Sequence, residues 1–295
     1  MICSVRRCAM ARTRQKPPDY PPEIRRGIAY ADAVATGRAP AGKWAVLAAQ
    51  RFKRDREAAE RGESRWILDP EYAIRPIRFA GQMQNIKGPE AGQTLDLLDF
   101  QLWLLINLYG FVERMTGLRR FRQASIWLPK GNAKSTLVAV LALYSTFLEG
   151  EGSAEGYAAA VSRDQARIVF DLAQAMTRAN TTFRERVGLQ IREHSIVQHR
   201  TQSRLMPISS DAKTLDGLNV YIAILDELAS HRSKGVYGAL ITAMGKRAQP
   251  LLISISTTTD NTTGVGKQVW DYSLKVLEGL VDERFLAIHL RRGRS

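Results

Sequence analysis

Ser125–Leu137 reads SIWLPKGNAKSTL, and about ninety residues later Val220–Glu227 reads VYIAILDE. The first stretch runs from a short apolar strand through a tight loop ending in Lys134-Ser135-Thr136 to the start of a helix. Main-chain N–H groups at such a helix start, together with a lysine, hold phosphates. The second stretch is an apolar strand ending in Asp226-Glu227. Of two carboxylates there, one can hold a magnesium ion and the other can activate water. Together the two stretches supply the halves of a nucleoside-triphosphate site.

The loop Pro129–Ser135 departs from the pattern G-x-x-x-x-G-K-[ST]. Leu128 and Ala133 stand where the two glycines would be, and Gly131 lies inside the loop with Lys130 and Asn132 beside it. The chemistry survives this, because alanine still supplies a main-chain N–H. Lys134 can reach the β- and γ-phosphates, and Ser135 can ligate Mg²⁺, with Thr136 as its substitute. The bland alternative is an ordinary strand–helix loop that contains Lys-Ser-Thr. Val220–Leu225 is continuously apolar, as in a strand buried on both faces. Its carboxylates then sit where open parallel sheets place their ligands. Asp226 would hold Mg²⁺ and Glu227 would polarise the attacking water; helix-capping acids at a solvated strand end are the alternative. LLISIS (Leu251–Ser256) is another buried strand and runs into Thr257-Thr258-Thr259. Those hydroxyls can sense a γ-phosphate, or simply cap the strand.

Strand-like and helix-like units alternate from Trp66 onward, which is the α/β pattern with a parallel sheet. Strands are expected at 124–128, 157–161, 220–225, 250–256 and 285–290, and a hairpin at 195–198 and 204–208. Helices are expected at 95–111 (capped by Thr94), 134–148, 163–178, 235–244 and 265–280. Residues 1–20 form a basic, Pro-rich tail expected to be disordered, residues 21–64 a small helical lead-in, and residues 65–295 the main domain. The formal net charge is +14, and residues 1–60, with 13 basic and 6 acidic side chains, carry half of it. That excess favours a polyanion such as nucleic acid; the alternative is a solvated basic surface with no specific partner. The two cysteines, Cys3 and Cys8, suit neither a zinc site nor a disulfide framework, and no apolar run is long enough for a membrane span. A cytoplasmic, membrane-free protein is expected.

Five segments, spread from about Ile77 to Leu290, resemble the ATPase part of the large terminase subunit, the DNA-packaging motor of tailed bacteriophages. LLDFQLWLL resembles its adenine-binding glutamine motif, and LPKGNAKSTL its deviant phosphate loop. AAAVSRDQARIVFDLA (Ala158–Ala173), SSDAKTLDGLNVYIAILDELASH (Ser209–His231) and QPLLISISTTT (Gln249–Thr259) resemble the segment after the second strand, the run into the acidic pair, and the coupling motif. The resemblance implies a P-loop NTPase-type fold, a mostly parallel central sheet flanked by helices. It also implies ATP and Mg²⁺ as ligand and cofactor, and translocation of double-stranded DNA into a procapsid in the host cytoplasm. Its partners would be the small terminase subunit and the portal protein, with a homo-oligomeric ring. Gln101 fits adenine, since its amide offers a donor and an acceptor; otherwise it is a polar residue on the exposed side of an apolar helix. Arg163 is a candidate phosphate sensor or trans arginine finger, or a surface ion-pair partner. The arginine some terminases carry before the glycine of the acidic-pair segment is replaced here by Asp216.

Full large terminases also resemble a two-part enzyme with a nuclease. Asp271, Glu278, Asp282 and Glu283 make no two-metal set, so no nuclease activity is expected of this chain, whether a truncation, an excised domain or a split gene. Two alternatives stay open: a helicase-like DNA-dependent ATPase, and an inactive prophage remnant that binds nucleotide or DNA.

Overall fold

The computed structural model describes residues 19–160, 162–209, 217–230, 235–257 and 263–290. Helices α1 (Pro22–Ala35) and α2 (Lys43–Glu60) come first. Proline in the first turn of α1 lacks an N–H that would have no partner there. Ile24, Ile28, Ala31 and Val34 recur at three- and four-residue spacing, so one face of α1 is buried. The short strand β1 (Trp66–Leu68) leads into α3 (Pro70–Ala80), where Asp69 caps the helix by accepting from the Glu71 N–H at 2.8 Å. Helix α4 (Asp99–Gly110) is apolar on nearly every face and is buried accordingly. It runs directly into β2 (Phe111–Glu113), which pairs antiparallel with β1.

The core alternates as the sequence pattern requires. In chain order it comprises β3 (Gln123–Trp127), α5 (Lys134–Phe147), β4 (Glu155–Ala160), α6 (Arg163–Ala179) and α7 (Thr181–Val187). A meander follows, β5 (Leu189–Arg192), β6 (Ser195–Gln198) and β7 (Ser203–Ser209). Then come β8 (Val220–Asp226), α8 (Gly235–Ala243), β9 (Leu251–Ser256), α9 (Gly264–Leu277) and β10 (Phe285–His289). Eight of these strands form one sheet in the order β10-β3-β9-β8-β4-β7-β6-β5. The pairings from β10 to β7 are all parallel, and only β7-β6 and β6-β5 are antiparallel. The fold is therefore α/β with a mostly parallel sheet flanked by helices. Parallel strands covered on both faces need apolar side chains in succession, and β8 is buried at every position.

The lead-in helices share the core of the sheet domain. Ile24 and Phe52 belong to the same buried cluster as Trp103, Leu141 and Ile224. At Gly27 the backbones of α1 and α4 come so close that a Cβ would stand 2.9 Å from the Trp103 nitrogen. Arg51 of α2 donates to the carbonyls of Phe285 and Asp282 at 2.9 and 2.7 Å, tying α2 to the start of β10.

Several expectations need correction. Helix α4 begins at Asp99 rather than after Thr94. Thr94 instead bridges Gln84, and the Leu95 N–H bonds to the Met83 carbonyl, so this stretch closes a loop. Helix α9 stops at Leu277, because Gly279 takes a φ of +123° that turns the chain away. Val161, assigned to a strand, lies outside the described residues, and so does Asp216. Among the described residues no helix is long and apolar enough to cross a membrane.

Candidate active site

The order of strands brings the two chemical halves together. Strand β9 lies between β3, which leads into the phosphate-type loop, and β8, which ends in the acidic pair. Trp127 is in register with Ser256, and Asp226 with Ile255, so all three strands end at one level. The Leu128 N–H donates to the Ser256 carbonyl at 3.0 Å, extending the pairing one residue into the loop. The Ala229 N–H donates to the Ser256 hydroxyl at 3.1 Å. The end of β9 is thus joined to the chain on both sides.

Within the loop, Gly131 takes a φ of +85° and Ala133 a φ of +49°. Glycine adopts such a conformation without penalty, whereas alanine does not. The Asn132 amide donates to the Pro129 carbonyl at 3.0 Å and closes the loop on itself. Ala133 is the N-cap of α5, so Lys134, Ser135 and Thr136 form that helix's first turn. Their N–H groups are among the four that a helix start leaves without helical partners. Anions are favoured at this end of the helix dipole.

Across β9, the Lys134 ammonium stands 3.9 Å from a Glu227 carboxylate oxygen. Thr257, immediately after β9, donates to the other Glu227 oxygen at 3.5 Å. Glu227 itself has a φ of +48°. Four non-glycine residues among those described have positive φ, and Ala133 and Glu227 are two of them. Each such residue costs on the order of 1–3 kcal/mol and persists where its surroundings fix it, most often at functional sites. Asp226 is buried, and its carboxylate accepts from the Glu227 N–H at 2.9 Å. Burial pushes its pKa above the ordinary value. The N–H bond and Lys134 oppose that shift, and the Glu227 charge adds to it.

A buried carboxylate of this kind suits a hard dication, whose charge would offset the cost of ionising it there. Asp226 and the Ser135 hydroxyl are hard oxygen donors of the type that could hold Mg²⁺. Gln101 is buried, contrary to an exposed position on α4. Its side-chain oxygen accepts from the Leu98 N–H at 3.0 Å while its main-chain N–H donates to the Leu98 carbonyl at 2.8 Å. Gln101 therefore fixes the start of α4, and an adenine amino group would have to share that oxygen. Arg163 is the first residue of α6, and its side chain lies outside the described part, as does Thr258. The acids after Gly264 have partners of their own: Asp271 pairs with Lys267, Asp282 accepts from the Tyr272 hydroxyl at 2.6 Å, and Glu283 pairs with Arg65 at 2.5 Å; among the described residues no three acids, histidines or cysteines gather as a metal site would need.

Two residues at the site carry no role from the motifs: Ser256, which lies inside the segment resembling the coupling motif, and Gly266. A Cβ at Gly266 would stand 2.6 Å from the Leu228 carbonyl oxygen, so α9 presses directly on the turn behind Glu227. The available signal for Ser256 was a polar residue at the very end of a fully buried strand whose only other polar residue is Ser254.

Residues 99–275 match the family model for the terminase large subunit, ATPase domain. The large terminase subunit of Enterobacteria phage HK97 is 29% identical over 178 residues, 59% of this chain and 34% of that protein. The crystal structure of the HK97 large terminase superposes with a TM-score of 0.60 at 26% identity, covering 73% of this chain and 43% of that one. The chain thus spans well under half the length of these relatives.

Proposed function

The chain belongs to the terminase large-subunit ATPase family, and from that premise we propose that it hydrolyses ATP to drive double-stranded viral DNA into a procapsid. The observation that carries this reading is the approach of Lys134 to Glu227 across β9. The N–H groups of Gly131 to Ser135, with Lys134, bind the β- and γ-phosphates and balance the charge that grows there in the transition state. Lys130 adds a cation beside them. Glu227 orients the attacking water and accepts its proton. Bound Mg²⁺, held by Ser135 and Asp226, supplies further neutralisation of the phosphate oxygens. Thr257 keeps the Glu227 carboxylate aimed and registers loss of the γ-phosphate, with Thr258 next to it. Gln101 reads the adenine edge, and Arg163 reaches the phosphates from its own or a neighbouring subunit.

Duplex DNA is the polyanion that the +14 charge favours. A ring of copies at a portal protein, loaded by a small terminase subunit in the host cytoplasm, completes the proposed setting. The test is steady-state ATP turnover with Mg²⁺, with and without duplex DNA. Turnover no greater than that of Lys134→Ala would sink the reading, and displacement of a strand from a forked duplex would favour a helicase. DNA affinity is expected to be indifferent to sequence and to fall steeply with salt. Deleting residues 1–20, which hold five basic side chains, should lessen the slope. Supercoiled plasmid incubated with this chain and Mn²⁺ should stay uncut, since among the described residues no three acids, histidines or cysteines gather as a two-metal site needs.

A further inference from the structure

Glu227 needs something to hold it at a φ of +48°. Behind it the chain makes a 3₁₀ turn, Leu228–Ser230, of which Leu228 and Ala229 are buried. On one side of this turn the Ser256 hydroxyl, itself wholly buried, accepts from the Ala229 N–H at 3.1 Å. On the other side lies the first turn of α9. Only a glycine fits there: a Cβ at Gly266 would stand 2.6 Å from the Leu228 oxygen and 2.9 Å from the Ala229 Cα. One helical turn on, Trp270 stands edge-on to Trp127, with ring centroids 4.7 Å apart and planes at 89°. Trp127 is the last residue of β3, two before Pro129 of the loop. Farther along α9, Ser273 and His289 share a hydrogen bond of 2.7 Å that fixes the helix to the end of β10.

We propose that Ser256 and Gly266 are positioning residues for Glu227, clamping the turn that aims its carboxylate, and that α9 is the strut tying this turn to the phosphate loop through Trp270. The inference rests on the ATPase reading above. A group displaced by about 1 Å from its working position can lose on the order of a hundredfold in rate, and binding need not change with it. Loss of the clamp therefore lowers kcat and leaves KM for ATP largely alone, because Lys134 and the loop keep their own supports.

Ser256→Ala and Gly266→Ala, each checked for folding by its melting temperature, should lower kcat by about tenfold or more with KM changed less than about twofold. Ser256→Thr keeps the hydroxyl and should recover most of the turnover that Ser256→Ala loses. The decisive comparison is made in Glu227→Gln. If Ser256 acts through the glutamate, adding Ser256→Ala there should cost less than about twofold more. A full, additive loss in that background, or an unchanged kcat in Ser256→Ala, overturns the proposal while the ATPase reading stands. A parent chain without Mg²⁺-dependent turnover overturns both.

Discussion

The two ends of the parallel strands handle polar groups in opposite ways. At the end where the strands begin, Arg119 is buried and fully engaged. It donates to Glu149 at 2.9 Å, to the Gln249 carbonyl at 2.6 Å and to the Phe121 carbonyl, and its N–H bonds to the Gln249 side chain at 3.0 Å. Burial works against its charge, yet Glu149, Tyr221 and Tyr109 together hold its pKa above the ordinary value. Nearby, Arg120 pairs with Asp55 at 2.7 Å, and Arg247 with Glu151 at 2.8 Å. At the end where the strands finish, the Lys134–Glu227 pair is 3.9 Å apart and the Thr257–Glu227 bond is 3.5 Å long. Left-handed non-glycine residues occur at both ends, Ala133 and Glu227 here and Ser153 and Gln202 just before β4 and β7, but only at this end does one of them carry a charge of the site. Short, dense networks fix one geometry; long pairs leave charge available to a ligand. The difference separates the end that secures the fold from the end suited to chemistry.

The largest contrast should appear on substituting one residue from each end. Glu227→Gln should reduce turnover by on the order of a hundredfold or more while ATP still binds, and Lys134→Ala should lose both. Neither should lower the denaturation midpoint appreciably; a large loss of stability in either would erase the distinction between the ends. Arg119→Met should do the reverse in kind. Leaving Glu149 buried without its cation should cost about 3–5 kcal/mol, read from denaturant unfolding. A cost below about 1 kcal/mol would mean that the network is ornamental.

A smaller effect sharpens the comparison through pH. The folded state raises the Asp226 pKa, so it binds this proton more tightly than the unfolded chain does. Stability from that proton is complete below the unfolded pKa and is lost as pH rises through the folded value. Asp226→Asn should therefore melt at a higher temperature than the parent near pH 8, and the gain should shrink as pH falls toward 4. Turnover should be lost at both. A gain independent of pH would show that the carboxylate's burial is not its source.

Much of this arrangement was legible in the sequence. VYIAIL and LLISIS read as buried parallel strands because such strands cannot afford alternation, and the chemical residues follow at their ends. Helix α3 was not read, since Pro70 and Pro76 look like punctuation, though one opens the helix and the other sits inside it. Strand β5 was missed because four residues, LQIR, are too few to establish a period. The left-handed backbone of Ala133 and Glu227 leaves no trace in residue type. Ser256 acts on a backbone N–H 27 positions earlier in the chain, a relation that only the strand order creates.

That strand order also governs how the protein is made. Strand β3 is synthesised first among the strands of the large sheet, yet its two neighbours there are β9 and β10, the last two. About 160 residues separate the end of β3 from the start of β10. At roughly 5–20 residues per second, the ribosome needs on the order of 10–30 s to deliver both partners. Through that interval the strand segment Ala124–Trp127 has two unsatisfied edges, which invites pairing with another nascent chain. Folding yield should thus be more sensitive to temperature and to chaperone supply than the finished domain's stability would suggest.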